Sequence, residues 1–143
     1  MNPYFEQMIL GASPIELIRL LYQRANSAVR DAREHLANGR IAERSASITI
    51  AYMVLAELMS SLRPEEAPEF ANRLKGLYCY MQQRLLDANL KQIDLPLAEV
   101  LGLLSTLAEA WAAVPEHDEQ PPAKVNPWAQ ATPDNSARVA LTA

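Results

Sequence analysis

The chain has 143 residues, half of them hydrophobic, which suits one domain with its own core better than two. Thirteen Lys and Arg against 17 Asp and Glu leave a formal charge of −4 and no basic block, which argues against a duplex nucleic acid partner. The single cysteine, Cys79, excludes an internal disulfide framework. The opening residues lack the cationic start and apolar run of a signal peptide, and no stretch approaches the ~20 apolar residues of a membrane span. A soluble, cytoplasmic protein is expected.

With only four glycines and an abundance of Ala, Leu, Glu and Arg, the composition favours helices. Residues 1–12 form an apolar N-terminal segment carrying Tyr4, Phe5, Met8 and Ile9, expected to cap the domain. Ser13-Pro14-Ile15-Glu16 then reads as a helix start: a hydroxyl to accept free N–H groups, proline at the first helical position, and a carboxylate near the positive end of the dipole. The first helix runs to about Asn38 with Gly39 as its stop, and Ile18, Leu21, Tyr22, Ala25, Ala28, Val29, Ala32 and Leu36 recur on one face.

A second helix spans about Arg40 to Leu62, with Ile41, Ile48, Tyr52, Leu55, Met59 and Leu62 in line, and Arg63-Pro64 closes it. The third begins near Pro68 and reaches about Leu90, with Phe70, Leu74, Leu77, Tyr78, Met81, Leu85 and Ala88 as its stripe. Asn89 is expected to cap that helix. Asp94 caps the fourth, which has Pro96 in its first turn and runs to about Ala113. Leu97, Val100, Leu101, Leu103, Leu104, Leu107, Ala108 and Trp111 cover more than half its circumference, so it is central or has a second partner.

From Pro115 the character changes: five prolines stand among Ala, Gln, Asp and Ser without periodicity. Residues 115–143 are expected to be a flexible tail in which Trp128 is the one residue suited to docking. The fold class that follows is all-α: an antiparallel up-down four-helix bundle over residues 13–114, with an N-terminal capping segment and a disordered tail.

Chemistry is hard to find. His35 and His117 sit in no Glu-x-x-His or His-x-x-x-His arrangement, which removes the helical geometry of a di-iron or zinc site. Glu116-His117-Asp118-Glu119 reads as a solvated charge run, and Cys79 as a small residue at a helix packing position. Each glycine stands alone, so no phosphate loop is formed. Neither a catalytic group, a cofactor nor a metal is expected.

Several residues, taken in order, resemble the flagellar secretion chaperones of the FliS family. Asn2-Pro3-Tyr4, Ser13-Pro14, Leu17 and Leu20-Leu21-Tyr22 resemble its opening. Ala71-Asn72-Arg73-Leu74, Leu77-Tyr78, Arg84-Leu85-Leu86 and Ala88-Asn89 are similar to its third helix. Val100, Leu103-Leu104, Leu107 and Trp111 are similar to its fourth. One departure is Gln23-Arg24, where the family usually carries a small acidic-glycine pair.

The resemblance implies a chaperone that binds the disordered C-terminal region of flagellin one to one, prevents polymerisation in the cytoplasm and delivers its client to the flagellar export gate. It implies a partner-binding groove drawn from Ile18 and Tyr22 on the first helix and Leu74, Tyr78 and Leu85 on the third, and the apolar Tyr4, Phe5, Met8 and Ile9 are expected to cover part of that groove and to move when client binds. A free monomer or weak homodimer is expected. The alternative is a helical adaptor for another secreted or regulatory protein.

Overall fold

Each run with apolar residues at three- and four-residue spacing folds as a helix. A computed structural model describes residues 14–114. Within them lie four helices and no strand: α1 (Pro14–Ala37), α2 (Ile41–Ser60), α3 (Pro68–Lys91) and α4 (Leu95–Ala112). The N-terminal segment, the Ser13 hydroxyl and the tail, with Trp128 and His117, lie outside the described residues.

The helix ends follow from local chemistry. Gly39, at a φ of 68°, turns the chain left-handed after α1. Arg40 N–H then donates to the His35 carbonyl at 2.9 Å and Gly39 N–H to the Leu36 carbonyl at 3.2 Å, the paired bonds of a Schellman ending. Gln92 makes the same turn after α3 at a φ of 57°, and Ile93 N–H reaches back to the Ala88 carbonyl at 3.3 Å. A side chain at that angle is strained where glycine would not be.

Asp94 precedes α4 as expected but does not cap it. Its backbone is already helical, with φ −85° and ψ −26°, and its carboxylate makes no bond to the helix's N–H groups. Both oxygens instead accept from Arg33 on α1, at 2.8 and 2.9 Å. A bidentate arginine outcompetes a single backbone N–H.

The helices pack chiefly as α1 on α2 and α4, and α3 on α2 and α4. Tyr22, Val29, Ile48, Leu55, Leu58, Tyr78, Met81, Leu85, Leu97, Val100 and Leu104 form the large side chains of one continuous core. Ala25, Ala28, Ala32, Ala51 and Ala88 are buried between them, and their small size lets backbones approach.

Polar bonds between helices set the register. Arg19 near the start of α1 donates to the Trp111 and Val114 carbonyls at the end of α4. Arg44 and Ser45 near the start of α2 both donate to Asn89 Oδ1 near the end of α3. Asn89 therefore joins two helices rather than capping its own. Arg84 on α3 donates to Glu99 on α4 at 2.7 Å, and Tyr80 donates to the same carboxylate. Those two donors hold Glu99 below the usual carboxylate range.

The expected stripes of α1 and α3 match their buried faces, with Leu36, Phe70 and Leu77 partly buried. That of α2 is turned. Arg44, Ser47, Ile48, Ala51, Val54, Leu55 and Leu58 face inward. Ile41 is 58% exposed at the helix's first position, and Tyr52 and Met59 are partly buried. This helix is apolar around most of its surface, so spacing alone could not select the face. Cys79 is exposed rather than packed, with its thiol 3.7 Å from the Met59 sulfur.

Against the expectation that no stretch approaches a membrane span, α4 is long and apolar enough to cross one by length and composition. Its apolarity has an account within the bundle: Pro96, Leu97, Val100, Leu104 and Trp111 are buried and Leu101, Leu103, Leu107 and Ala108 pack around them.

Replacing Gln92 with glycine should relieve the left-handed strain and stabilise the fold by about 0.5–1 kcal/mol, read from urea unfolding. A destabilised Gln92→Gly would mean that the glutamine side chain contributes more than its backbone costs.

Candidate functional site

The five expected groove residues within the described region are all core residues. Ile18, Tyr22, Leu74, Tyr78 and Leu85 are between 0 and 6% exposed. At the centre, the Tyr22 and Tyr78 hydroxyls meet at 2.5 Å. The Trp111 indole N–H also donates to Tyr22. Burial raises both phenols, Tyr22 from 10.0 to about 12 and Tyr78 further. Both are neutral hydroxyls at any physiological pH, so the pair is an internal clasp with no acid–base task. Tyr4, Phe5, Met8 and Ile9 lie outside the described residues.

A different set of side chains builds an open concavity. Leu17 and Leu21 on α1 face Ile50, Met53 and Val54 on α2 across a groove of about 350 Å³, with Arg24 and Glu57 as its charged members. Leu21 and Val54 are buried, whereas Met53 is 60% exposed. The walls arise because both helices carry more apolar residues than the core can take. On α1, Leu17 flanks the inward face of Ile18, Leu21 and Tyr22, and Leu21 stands at its edge. On α2, Ile50 and Met53 lie outside the buried line of Ala51, Val54, Leu55 and Leu58.

None of Leu17, Leu21, Ile50, Met53 and Val54 was among the expected groove residues. The signal available was the run Ile48-Thr49-Ile50-Ala51-Tyr52-Met53-Val54-Leu55, which is too apolar for one buried stripe and therefore marks a helix with two apolar faces. Such a groove offers dispersion and burial, with few polar anchors. It suits an apolar helical face or extended segment better than a small polar substrate.

Among the described residues, no three His, Cys, Asp or Glu side chains come together as a metal site would require. Buried Arg44 is engaged by Asn89, with Nη2 also 3.4 Å from the Asn89 carbonyl at the end of α3. That carbonyl end is electronegative, which accounts for a buried cation there.

A second apolar surface lies around the turn between α3 and α4. Leu90 is 80% and Leu95 71% exposed, with Leu86 and Ile93 also exposed beside them.

The family comparison covers most of the chain. The sequence model of the flagellar protein FliS matches residues 1–118. The chain belongs to the FliS family. The flagellar secretion chaperone FliS of Salmonella typhimurium is 38% identical over 110 residues, covering 76% of this chain and 82% of that protein. FliS of Escherichia coli is 30% identical over 107 residues, covering 74% and 79%. FliS of Bacillus subtilis is 28% identical over 113 residues, covering 77% and 84%. These FliS proteins are named as chaperones, and the four helices described here lie within the matched region.

The tyrosine clasp should respond unequally to truncation. Tyr22→Phe removes the hydroxyl that both Tyr78 and Trp111 bond, and should cost about 1–3 kcal/mol, while Tyr78→Phe should cost less because Tyr22 keeps its indole donor. Denaturant unfolding of both variants measures the difference; equal costs would show that the indole bond contributes nothing.

Stability should also fall on the alkaline side. The unfolded phenol loses its proton near 10 and the folded Tyr22 near about 12, so above pH 10 the folded state binds more protons. Stability is then fully present below pH 10 and declines as pH rises toward 12. Melting temperatures across that range should show a decline that Tyr22→Phe reduces.

Proposed function

We propose that this protein is a cytoplasmic export chaperone that binds the C-terminal region of flagellin, one to one, and keeps it from polymerising before export. The observation that carries the reading is an apolar groove between α1 and α2 in a chain of the FliS family. A flagellin terminus that coils with copies of itself in a filament presents an amphipathic stripe. Left free, the stripe invites premature assembly; laid in an apolar groove, it is masked through positions i, i+3, i+4 and i+7. Ordering the client costs about 2–5 kcal/mol of gross contact energy. The interface should therefore reach roughly 2,000 Å² or more, beyond what the groove alone supplies. The client extends along the bundle, and the complex then meets the export gate, where handover releases it without nucleotide hydrolysis or any other catalysis.

An antiparallel up-down order of the helices fits this role, and the bonds from Arg19 to the end of α4, and from Arg44 and Ser45 to the end of α3, support it. The N-terminal segment with Tyr4, Phe5, Met8 and Ile9 covers part of the groove in the free monomer or weak dimer and yields it to client, two packings of similar energy. Ile18, Tyr22, Leu74, Tyr78 and Leu85 serve binding indirectly, through the core cluster to which Leu21 and Val54 also belong.

Calorimetric titration with a peptide from flagellin's C-terminal region should give binding near one to one with a negative heat-capacity change. Met53→Glu, at an exposed position, should weaken that binding at least tenfold, and its effect on stability should stay within about 0.5 kcal/mol. Deleting Asn2 to Leu10 should change client affinity far more than melting temperature. No heat from an intact peptide would point to a different secreted or regulatory client.

A further inference from the structure

The chain continues past α4 in a way that brings a second occupant within reach of the groove. Arg19 Nε and Nη2 bind the Trp111 and Val114 carbonyls, so the root of residues 115–143 is fixed against the first turns of α1. Arg19 lies in sequence between Leu17 and Leu21, two of the groove's wall residues. From that root to the groove is a path around one helix, about 10–12 Å across. Trp128 follows Val114 by 14 residues, a tether that can span up to about 45 Å. It is the only aromatic residue after Trp111, and it lies beyond residue 118, where the match to the family ends.

The chemistry of the groove fits an indole. Leu17, Leu21, Ile50, Met53 and Val54 provide apolar walls, and Arg24 and Glu57 carry opposite charges beside them. An indole has a broad apolar body, a π face that attracts a guanidinium, and one N–H that a carboxylate accepts. Val125 and Pro127 flank Trp128 with further apolar surface at little entropic cost, since proline is already restricted. We propose that the segment around Trp128 docks in the α1–α2 groove as an internal occupant that competes with client. The competition rests on the groove being the client site; the docking itself does not.

A tethered segment has an effective concentration of about 1 mM, so one with an intrinsic Kd of about 0.1 mM raises the apparent client Kd about tenfold. The occupant sets a threshold that weak or partial clients fail to pass, while an extended client displaces it.

The test uses the full chain labelled with fluorotryptophan, which has two resonances, one of them assigned to Trp128 by its loss in Trp128→Ala. Docking predicts a Trp128 resonance shielded from solvent, which shifts to the position of a free indole in Met53→Glu. It also predicts that Trp128→Ala binds the flagellin peptide about tenfold more tightly. A Trp128 resonance already at the solvent position, or unmoved by Met53→Glu, overturns the proposal. So does shielding lost in Leu90→Glu instead, which would place the indole at the α3–α4 turn. Unchanged peptide affinity in Trp128→Ala overturns the competition. Should the peptide bind neither form, the client reading fails, and the resonance in Met53→Glu decides the docking independently.

Discussion

Two phenol hydroxyls in van der Waals surroundings must find each other or remain unsatisfied, and that requirement organises the centre of this bundle. Tyr22 on α1 and Tyr78 on α3 belong to helices that are not principal neighbours, so their bond runs across the core. Trp111 at the end of α4 adds its indole N–H to the same oxygen. Three helices are thereby held in one register by polar atoms wholly removed from water. The aromatic bodies behind those atoms fill the volume around them, and an apolar replacement of one partner leaves the others to bear the desolvation.

Register fixed at the centre has consequences at the surface. With Tyr22 and Ile18 directed inward, Leu17 falls on the shoulder of α1 and Leu21 at the edge of its buried face. Ile50 and Met53 fall on the opposing shoulder of α2. The groove is thus the remainder of core packing: apolar side chains that two helices carry in excess of what four helices can enclose. Natural proteins rarely leave such a surface open without a use for it. Apart from Arg24 and Glu57 the concavity is apolar, and it selects chiefly by shape and hydrophobic spacing.

The surface polar bonds contribute differently. Arg33–Asp94 and Arg84–Glu99 are half-exposed pairs, modest in energy. Their value is in position: each links neighbouring helices near an end or along a side, opposing slippage of the bundle. Arg19, through two backbone carbonyls, does the same for the end of α4 and decides where the following chain departs.

The amino-acid sequence alone determined the helices, because proline, glycine and three-to-four spacing are local signals. Pro14, Gly39 and Pro68, together with the stripes of α1 and α3, placed the elements within a few residues. The residues shared with the FliS family were likewise legible in linear order. Tertiary structure alone decided which face of α2 turned inward, since Ile48, Ile50, Tyr52, Met53 and Val54 are apolar in several directions and only the neighbouring helices choose among them. It also decided the partners of Asp94 and Asn89, both of which read as caps but found an arginine on another helix. The groove walls were illegible for the same reason: Leu17, Leu21, Ile50 and Met53 meet only when two helices pack, and what sets Leu17, Ile50 and Met53 apart from core residues is geometric, with no chemical mark in the sequence.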